Sequence, residues 1–562
     1  MTERLESARR FVEPHGESAV GDGERTSTTT ATAERPELLS RPVTGTGSEQ
    51  KADTWAREIE ASGPRVTRRQ LLQTALGACV VGATGYGVSW ITSVSKPPPL
   101  PRFRSRPDLS PPPTAVLFPA DETAAGLVLL SAARTDAYQH GPMIVDNAGR
   151  LVWFSPRTQG SMNLQAQNYL GKPVLTWWQG ELVLPAGYGQ GEYVIAGSDY
   201  NELARVHAGN GLHGDLHEFV ITPQGTALFT VYKPIRRDLS DMGGSAHGLL
   251  LDSRMQEVEI STGRVLFEWS AAEHIALSES YVVAPSDPST LFDFFHMNSI
   301  DVLADGNLLL SARHTGALYK IDRSSGAVIW RLGGKRSDFQ IQSRAKFAYQ
   351  HHARHHDGGV ITVFDDGAGP TNVESGAPAQ RVSRGLKLSV DVDSMQVRLL
   401  QEYLPDPSML ATSQGSVQLL SDGNVFVGWG SEPYFSEYGP RANPRFEAKI
   451  GGGSNSYRAF RSQWVGRPAE RPAVAAERVN HATVNVFASW NGATDVYRWD
   501  VLAGNTPDAS TVVGTFARVG FETSMQVSTV YRYIAVRARD GDGRLIGRSA
   551  AVQTPASGTA IG

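Results

Sequence analysis

Cysteine is almost absent. Cys79 is the only one in 562 residues, so no intrachain disulfide can form and cysteine-based zinc or iron-sulfur sites are excluded. An excess of positive charge is missing too: Lys and Arg number 53 against 57 Asp and Glu, for a formal net charge of -4. That removes the basic footprint on which nucleic-acid binding relies, and no nucleic-acid partner is expected. Long helical periods are scarce, and no Gly-x-x-x-x-Gly-Lys-Ser/Thr loop is present to cradle a nucleotide phosphate. Residues 1–68 hold only Phe11 and Trp55 as aromatics. So little apolar surface cannot offset the entropy of ordering, and this stretch reads as a disordered extension. Charge then vanishes from Leu71 to Ser95, directly after Thr67-Arg68-Arg69-Gln70.

Two arginines before a weakly hydrophobic, Gly- and Ala-rich run resemble a twin-arginine export signal, and residues 69–96 are long enough to span a bilayer. The folded domains are therefore expected outside the cytoplasm, exported or held at a membrane by this segment. Residues 97–113, with eight prolines and three arginines, read as a stiff extended spacer holding the folded part off the membrane surface.

What remains is globular and rich in turns, with 40% hydrophobic and 20% charged residues, 57 Gly and 32 Pro. From 114 to 465 short alternating or apolar runs are separated by Asp-Gly and Gly-Asn turns, an all-β signature. The clearest unit runs from Asp305-Gly306-Asn307 through Leu308 to Arg313, then Ala317 to Asp322, then Ser325-Gly326-Ala327-Val328 to Leu332. Weaker copies open at Gln224-Gly225, Thr262-Gly263, Gly358-Gly359 and Asp422-Gly423-Asn424. A recurring meander of about four strands every 40 to 60 residues predicts a β-propeller of roughly six blades. After a linker at Gly466–Pro472, residues 473–556 predict a small β-sandwich resembling fibronectin type III modules, from Thr483–Trp490, Val496–Val501, Ser510–Gly514 and Tyr531–Ala538.

Histidine is distributed unevenly. Eleven of the fourteen lie between His207 and His356 and none between Asp357 and Asn480, which points to a site where blades converge. As a metal centre, His213 with His217, or His351 with His355, would face together at i, i+4 on a helix. Asp357-Gly358-Gly359 instead predicts a hairpin over Phe347–Asp366, with His351, Ala353 and His355 on one face and His352, Arg354 and His356 on the other. Arg354 close by also opposes a cation, and no metal or cofactor is expected. The other reading uses histidines as nucleophile and acid/base, with Arg313 as a fixed cation for an oxyanion.

Several ordered tracts carry a resemblance: Asp215-Leu216-His217-Glu218-Phe219, His296-Met297-Asn298-Ser299-Ile300, Ser311-Ala312-Arg313-His314, Gln350-His351-His352-Ala353-Arg354 and Val363-Phe364-Asp365-Asp366-Gly367. Together with Thr176-Trp177-Trp178-Gln179-Gly180 and Gly191-Glu192-Tyr193-Val194-Ile195, they make residues 115 to 465 similar to the arylsulfotransferase family. The resemblance implies a six-bladed propeller acting outside the cytoplasm. Its funnel would move a sulfuryl group from an aryl sulfate to a phenol through a sulfohistidine, without a nucleotide donor. It also implies His351 as nucleophile, with His352 the alternative one register away, His296 and Arg313 on the sulfate oxygens, and His217 as a further active-site histidine. Asn298, His314 and His352 complete the implied substrate contacts. Asp366 stands where the family usually has asparagine, bringing a carboxyl near an anion site. Two other classes compete: a non-catalytic propeller binding an anionic glycan or peptide at the cell surface, and a quinoprotein-like oxidoreductase suggested only by the turn before Trp330.

Overall fold

The computed structural model describes residues 103–554, apart from 134, 185 and 370–381. The predicted extension (1–68) and signal or anchor (69–96) lie outside the described residues. Apart from one helical turn, Ala271–His274, and three short 3-10 turns, the described elements are strands, as the alternating pattern requires.

Antiparallel meanders follow one another up to residue 462. Leu127–Ala132, Gly141–Val145 and Leu151–Phe154 form the first, and Ala459–Ser462, from the far end of this region, pairs with Leu127–Ala132 to complete its inner edge. Next come Gly160–Tyr169, Lys172–Val183, Tyr188–Ala196 and Glu202–Val206, then Gly214–Ile221, Thr226–Arg237, Gly248–Glu259 and Val265–Ser270. These two meanders share one sheet because Gly191 pairs with Gly214. Met297–Val302, Leu308–Ala312, Ala317–Ile321 and Val328–Gly333 make the unit most legible in the sequence. His351–His356, Val360–Asp365, Arg384–Asp391 and Gln396–Tyr403 follow, and then Ser416–Leu419, Val425–Gly428, Tyr434–Tyr438 and Pro444–Ile450, with Thr114–Phe118 on the outer edge.

Leading strands close into a ring: Ala459–Ser462 packs on Gly160–Tyr169, then Gly214–Ile221, Met297–Val302, His351–His356 and Ser416–Leu419 follow in order, the last touching Ala459–Ser462 again. This is a propeller-type arrangement. The turns predicted from Asp-Gly pairs form because glycine accepts the left-handed backbone, with φ 82° at Gly306 and 88° at Gly423.

Apolar layers between meanders hold the ring. Trp269, Leu310 and Tyr319 are buried in one, and Phe364, Tyr403 and Trp429 in another. Trp178 is accommodated by Gly180, Gly189 and Gly191; a Cβ on Gly191 would stand 2.8 Å from its ring. Trp177, Trp178 and Trp429, all nearly fully buried, are therefore packing residues. Each such side chain contributes about 2–3 kcal/mol of burial.

Beyond the ring, Ala473–Asn480, Thr483–Ser489 and Glu522–Ser528 form one sheet. Thr511–Ala517, Arg498–Gly504, Tyr533–Arg539 and Leu545–Arg548 form the other, over a core containing Trp499, Val501 and Val536. The linker is pinned rather than loose: Arg467 N–H donates to Ser198 O and Ala469 N–H to Asp199 O. Residues 103–113 also depart from expectation. Instead of standing away from the domain, they dock on it. Leu109 is buried in the layer that holds Phe446 and Phe521, Phe103 meets Phe521 at 4.5 Å between ring centroids, and the Ser105 hydroxyl donates to Glu522 at 2.5 Å. Two apolar side chains among the prolines supply the surface that composition alone hid.

Candidate active site

Four residues singled out in the sequence reach one cavity because the leading strands begin around it. His217 lies in Gly214–Ile221, His296 immediately precedes Met297–Val302, Arg313 follows Leu308–Ala312, and His351 opens His351–His356. All four, with His314, line a cavity of about 410 Å³, a size suited to a small organic ligand. His296 stands 4.8 Å from His217 and 4.8 Å from His314 between ring centroids.

Three of the four histidines lining the cavity turn Nδ1 to a carboxylate. His217 Nδ1 meets Asp215 Oδ2 at 2.6 Å, His296 Nδ1 meets Asp293 Oδ2 at 2.5 Å, and His351 Nδ1 meets Asp366 Oδ2 at 2.7 Å. For His351 the surroundings also set the tautomer. Tyr349 O accepts at Nδ1 (3.1 Å), while the Gln414 backbone N–H donates to Nε2 (3.3 Å). Nδ1 therefore carries the hydrogen and Nε2 the lone pair, which faces the N–H of Gln414, itself a residue of the cavity lining, through a long and readily exchanged bond; an unprotonated Nε2 is what a nucleophilic or basic imidazole needs. None of these aspartate pairings was anticipated from the sequence, although Asp215 and Asp293 lie only two and three residues before their histidines. Asp366, whose extra carboxyl threatened an anion site, faces Nδ1 and does not line the cavity.

Arg313 is a cation held by neutral partners. Its guanidinium donates to His314 Nε2 (2.8 Å) and Thr412 O (2.9 Å) and lies 4.2 Å over the Tyr349 ring. Among the described residues no carboxylate lies within ion-pair distance of it, and its buried Nε has no hydrogen-bond partner. His314 donates Nδ1–H to Asp293 O at 2.6 Å, so it presents Nε2 as an acceptor and steers Arg313.

Two expected contacts fall elsewhere. His352 is buried against Phe460, with Nδ1 beside Val417 O and N–H, and does not line the cavity. The reason is a bulge: the pairing shifts between His351 and Arg354, and His352 takes φ 52°, so strict alternation along the hairpin fails. Asn298 stands behind His351, donating Nδ2–H to Gln350 O at 2.7 Å. Gln350 Nε2 in turn donates to Ser311 Oγ and to the carbonyls of Ala312 and Ala317, so both residues brace the strand that carries His351. His213 and His355 are exposed, and neither i, i+4 metal pair forms. His296 and Tyr349 also have positive φ, 56° and 57°, concentrating backbone strain around the cavity.

Beside His217, the fully buried Glu218 ties the ring across its axis. Its carboxylate accepts from Arg458 (2.9 Å) and Arg354 (2.6 Å), and Arg458 also donates to Asn298 O. Such an ion triad is tolerable only because each oxygen is bonded.

Burial pushes His351 and His352 well below the usual imidazole range and His296 down to about 4. Asp366 is pushed up by its burial, Arg313 opposing and Asp365 adding to the rise. The sign for stability follows. For these histidines the unfolded chain, with ordinary values near 6.5, binds protons that the folded chain refuses, so their contribution is complete above about pH 6.5 and falls as pH drops toward the folded values, while the raised Asp366 contributes with the opposite sign. His296 alone accounts for about 2 kcal/mol between pH 7.5 and 5. Between these pH values the urea midpoint of His296→Gln should move less toward lower urea than that of the wild type; the same change in both proteins would contradict the His296 assignment.

The family profile described as "Arylsulfotransferase (ASST)" matches residues 165–451, about half of the chain. The chain belongs to the arylsulfotransferase family. The matched span carries the cavity groups from His217 to Gln414, but ends before Tyr457 and Arg458. Tyr457 nevertheless lines the cavity edge-on to His217, at 5.6 Å, with its buried hydroxyl unbonded among the described residues. No curated protein matches the sequence. Among solved structures, a Bacteroides caccae protein of unknown function is 12% identical, with 60% of this chain and 100% of that one covered and a TM-score of 0.37. A virginiamycin B lyase from Staphylococcus aureus is 10% identical over 59% and 87%, with a TM-score of 0.30. The Dos1 propeller is 12% identical over 62% and 71%, with a TM-score of 0.27. At such distances nothing about activity carries over.

Proposed function

We propose that this chain is a sulfotransferase that moves a sulfuryl group from an aryl sulfate to a phenol through a sulfohistidine at His351, independently of any nucleotide donor. In this reading the closed ring is a six-bladed propeller, and the module after 473 is a fibronectin type III-like sandwich. The segment 69–96 would deliver both outside the cytoplasm. The observation that carries the proposal is the pairing of Arg313, a guanidinium without a carboxylate partner among the described residues, with an Nδ1-protonated His351 in the same cavity.

Sulfuryl transfer, like phosphoryl transfer, passes through a loose in-line transition state with charge on equatorial oxygens. Arg313 would hold two of those oxygens with its planar fork. His296 is neutral by burial, but an anion beside it favours the imidazolium and lets Nε2–H join them. The His351 Nε2 lone pair, released from the Gln414 N–H, then attacks sulfur as the sulfur–aryl oxygen bond breaks, and His217, entering the cycle as an imidazolium paired with Asp215, gives the departing phenolate its Nε2 proton. In the second half the acceptor phenol returns a proton to His217, its oxygen attacks sulfur, and the nitrogen–sulfur bond breaks to regenerate His351. Asp293, His296 and His314 have the composition of a two-histidine, one-carboxylate metal site, with ligand atoms within 4.8 Å. The cationic Arg313 bonded to His314 disfavours that use and suits an anion instead.

The test is incubation of the full-length chain with a chromogenic aryl sulfate and a phenol acceptor. Phenol release together with sulfated acceptor is expected, reduced about 10²- to 10³-fold in Arg313→Ala and only partly restored in Arg313→Lys, which keeps the charge but loses the fork. No release from any of several donors would sink the proposal and leave an anion-binding propeller.

A further inference from the structure

The cavity has two unlike kinds of lining, and the proposed transfer reaction uses only one. Besides Arg313 and the histidines, its lining is largely aliphatic: Met162, Leu182, Leu184, Leu216, Val282 and Leu291. Among the described lining residues, the histidines aside, only Tyr457 is aromatic, and it stands against His217.

This aliphatic lining is a built wall, raised by two hairpins that outrun their neighbours. The hairpin of Lys172–Val183 and Tyr188–Ala196 stays paired as far as Val183 with Tyr188, whereas the adjoining strand stops at Gly160 opposite Gly180. The hairpin of Thr226–Arg237 and Gly248–Glu259 stays paired to Arg237 with Gly248, whereas its inner neighbour stops at Val231 opposite Gly214. The overhanging ends pack on each other. Tyr188 stacks on Tyr232 at 5.5 Å over the buried Leu251, with Val183, Ala186 and Leu291 against them. Beyond this support the apolar surface continues into solvent, where Leu184 is 75% exposed and Val283, beside Val282, is 71% exposed. Large exposed apolar side chains continuous with a charged cavity mark a surface that a ligand covers.

We propose that the sulfuryl group is carried to or from a phenol bearing an aliphatic substituent, whose chain lies along Leu182, Leu184 and Val282 while its oxygen faces Arg313 and His351. This rests on the transfer reading above. Flexible leucine and methionine side chains adapt to an alkyl chain, whereas stacking of a polycyclic ring would call for aromatic faces at this wall.

The experiment uses the full-length chain and a series of 4-alkylphenyl sulfates from methyl to hexyl. It measures kcat/KM in the wild type, and Kd by calorimetry in His351→Ala so that binding is read without turnover. Both should improve about 2- to 4-fold per methylene over the first few carbons. The double variant Leu182→Ser/Leu184→Ser should flatten the series, whereas Leu170→Ser, an exposed leucine in a turn outside the cavity lining, should keep the slope. A slope in Kd with no turnover of any ester would remove the transferase reading and leave the alkyl-binding wall standing. Turnover with no dependence on chain length would do the reverse, as would a slope indifferent to the two serines. A flat series accompanied by liposome binding that the double variant loses would also overturn the proposal, by assigning the rim to a membrane.

Discussion

His351→Ala is expected to lower phenol release from an aryl sulfate by about 10⁴-fold or more, and to abolish acid-labile labelling of the protein by sulfate. The size of the effect follows from the role. With the nucleophile gone, the two-step route through a covalent intermediate closes, and only Arg313 and the remaining histidines can assist direct transfer. His352→Ala should lose stability but keep labelling, because its ring packs on Phe460 outside the cavity. If instead His352→Ala removed the label and His351→Ala retained it, the assignment of nucleophile would be reversed. Rapid mixing of the wild type with donor alone gives an independent check. A burst of phenol equal to the enzyme concentration is expected before a slow phase.

Asp366→Asn should lower kcat by on the order of 10³- to 10⁴-fold while leaving KM and the melting temperature close to wild type, by analogy with a triad aspartate turned to asparagine. The carboxyl accepts Nδ1–H of His351 at 2.7 Å. An amide has the same shape but can turn its NH₂ toward the ring, moving the proton to Nε2 and removing the lone pair that would attack sulfur. The carboxyl does this from the wall, without lining the cavity. A loss confined to KM would mean instead that Asp366 acts through substrate affinity. An unchanged kcat would mean that Tyr349 O and the Gln414 N–H suffice to hold the tautomer.

Much of the site was legible where chemistry is local. Asp357-Gly358-Gly359 announced the hairpin that carries His351, and the crowding of histidines before His356 located the cavity. His217 fell in a strand, and His296 and Arg313 directly beside strands, whose ends a ring of meanders must bring together. Reading failed where a local rule was broken by packing. Nothing in Gln350-His351-His352 signals the bulge that sends His352 toward Phe460, because the bulge arises from the pairing with Val360–Asp365 and the fit against neighbouring meanders. Phe103 and Leu109, hidden among prolines, were read as part of a spacer because proline content predicts stiffness and says nothing of a surface to dock on.

The sequence by itself determined the all-β class, the order of the meanders and the residue types brought to the cavity, since period-two patterning, Asp-Gly turns and composition are properties of short stretches. Only the tertiary structure decided which nitrogen of His217, His296 and His351 meets an aspartate, that Asp366 serves His351, that Arg313 lacks a carboxylate partner among the described residues, and that aliphatic side chains share the cavity. Those facts depend on contacts between strands tens to hundreds of residues apart, such as Arg458 with Glu218 or Gln414 with His351, and the three-dimensional closure of the ring sets their distances.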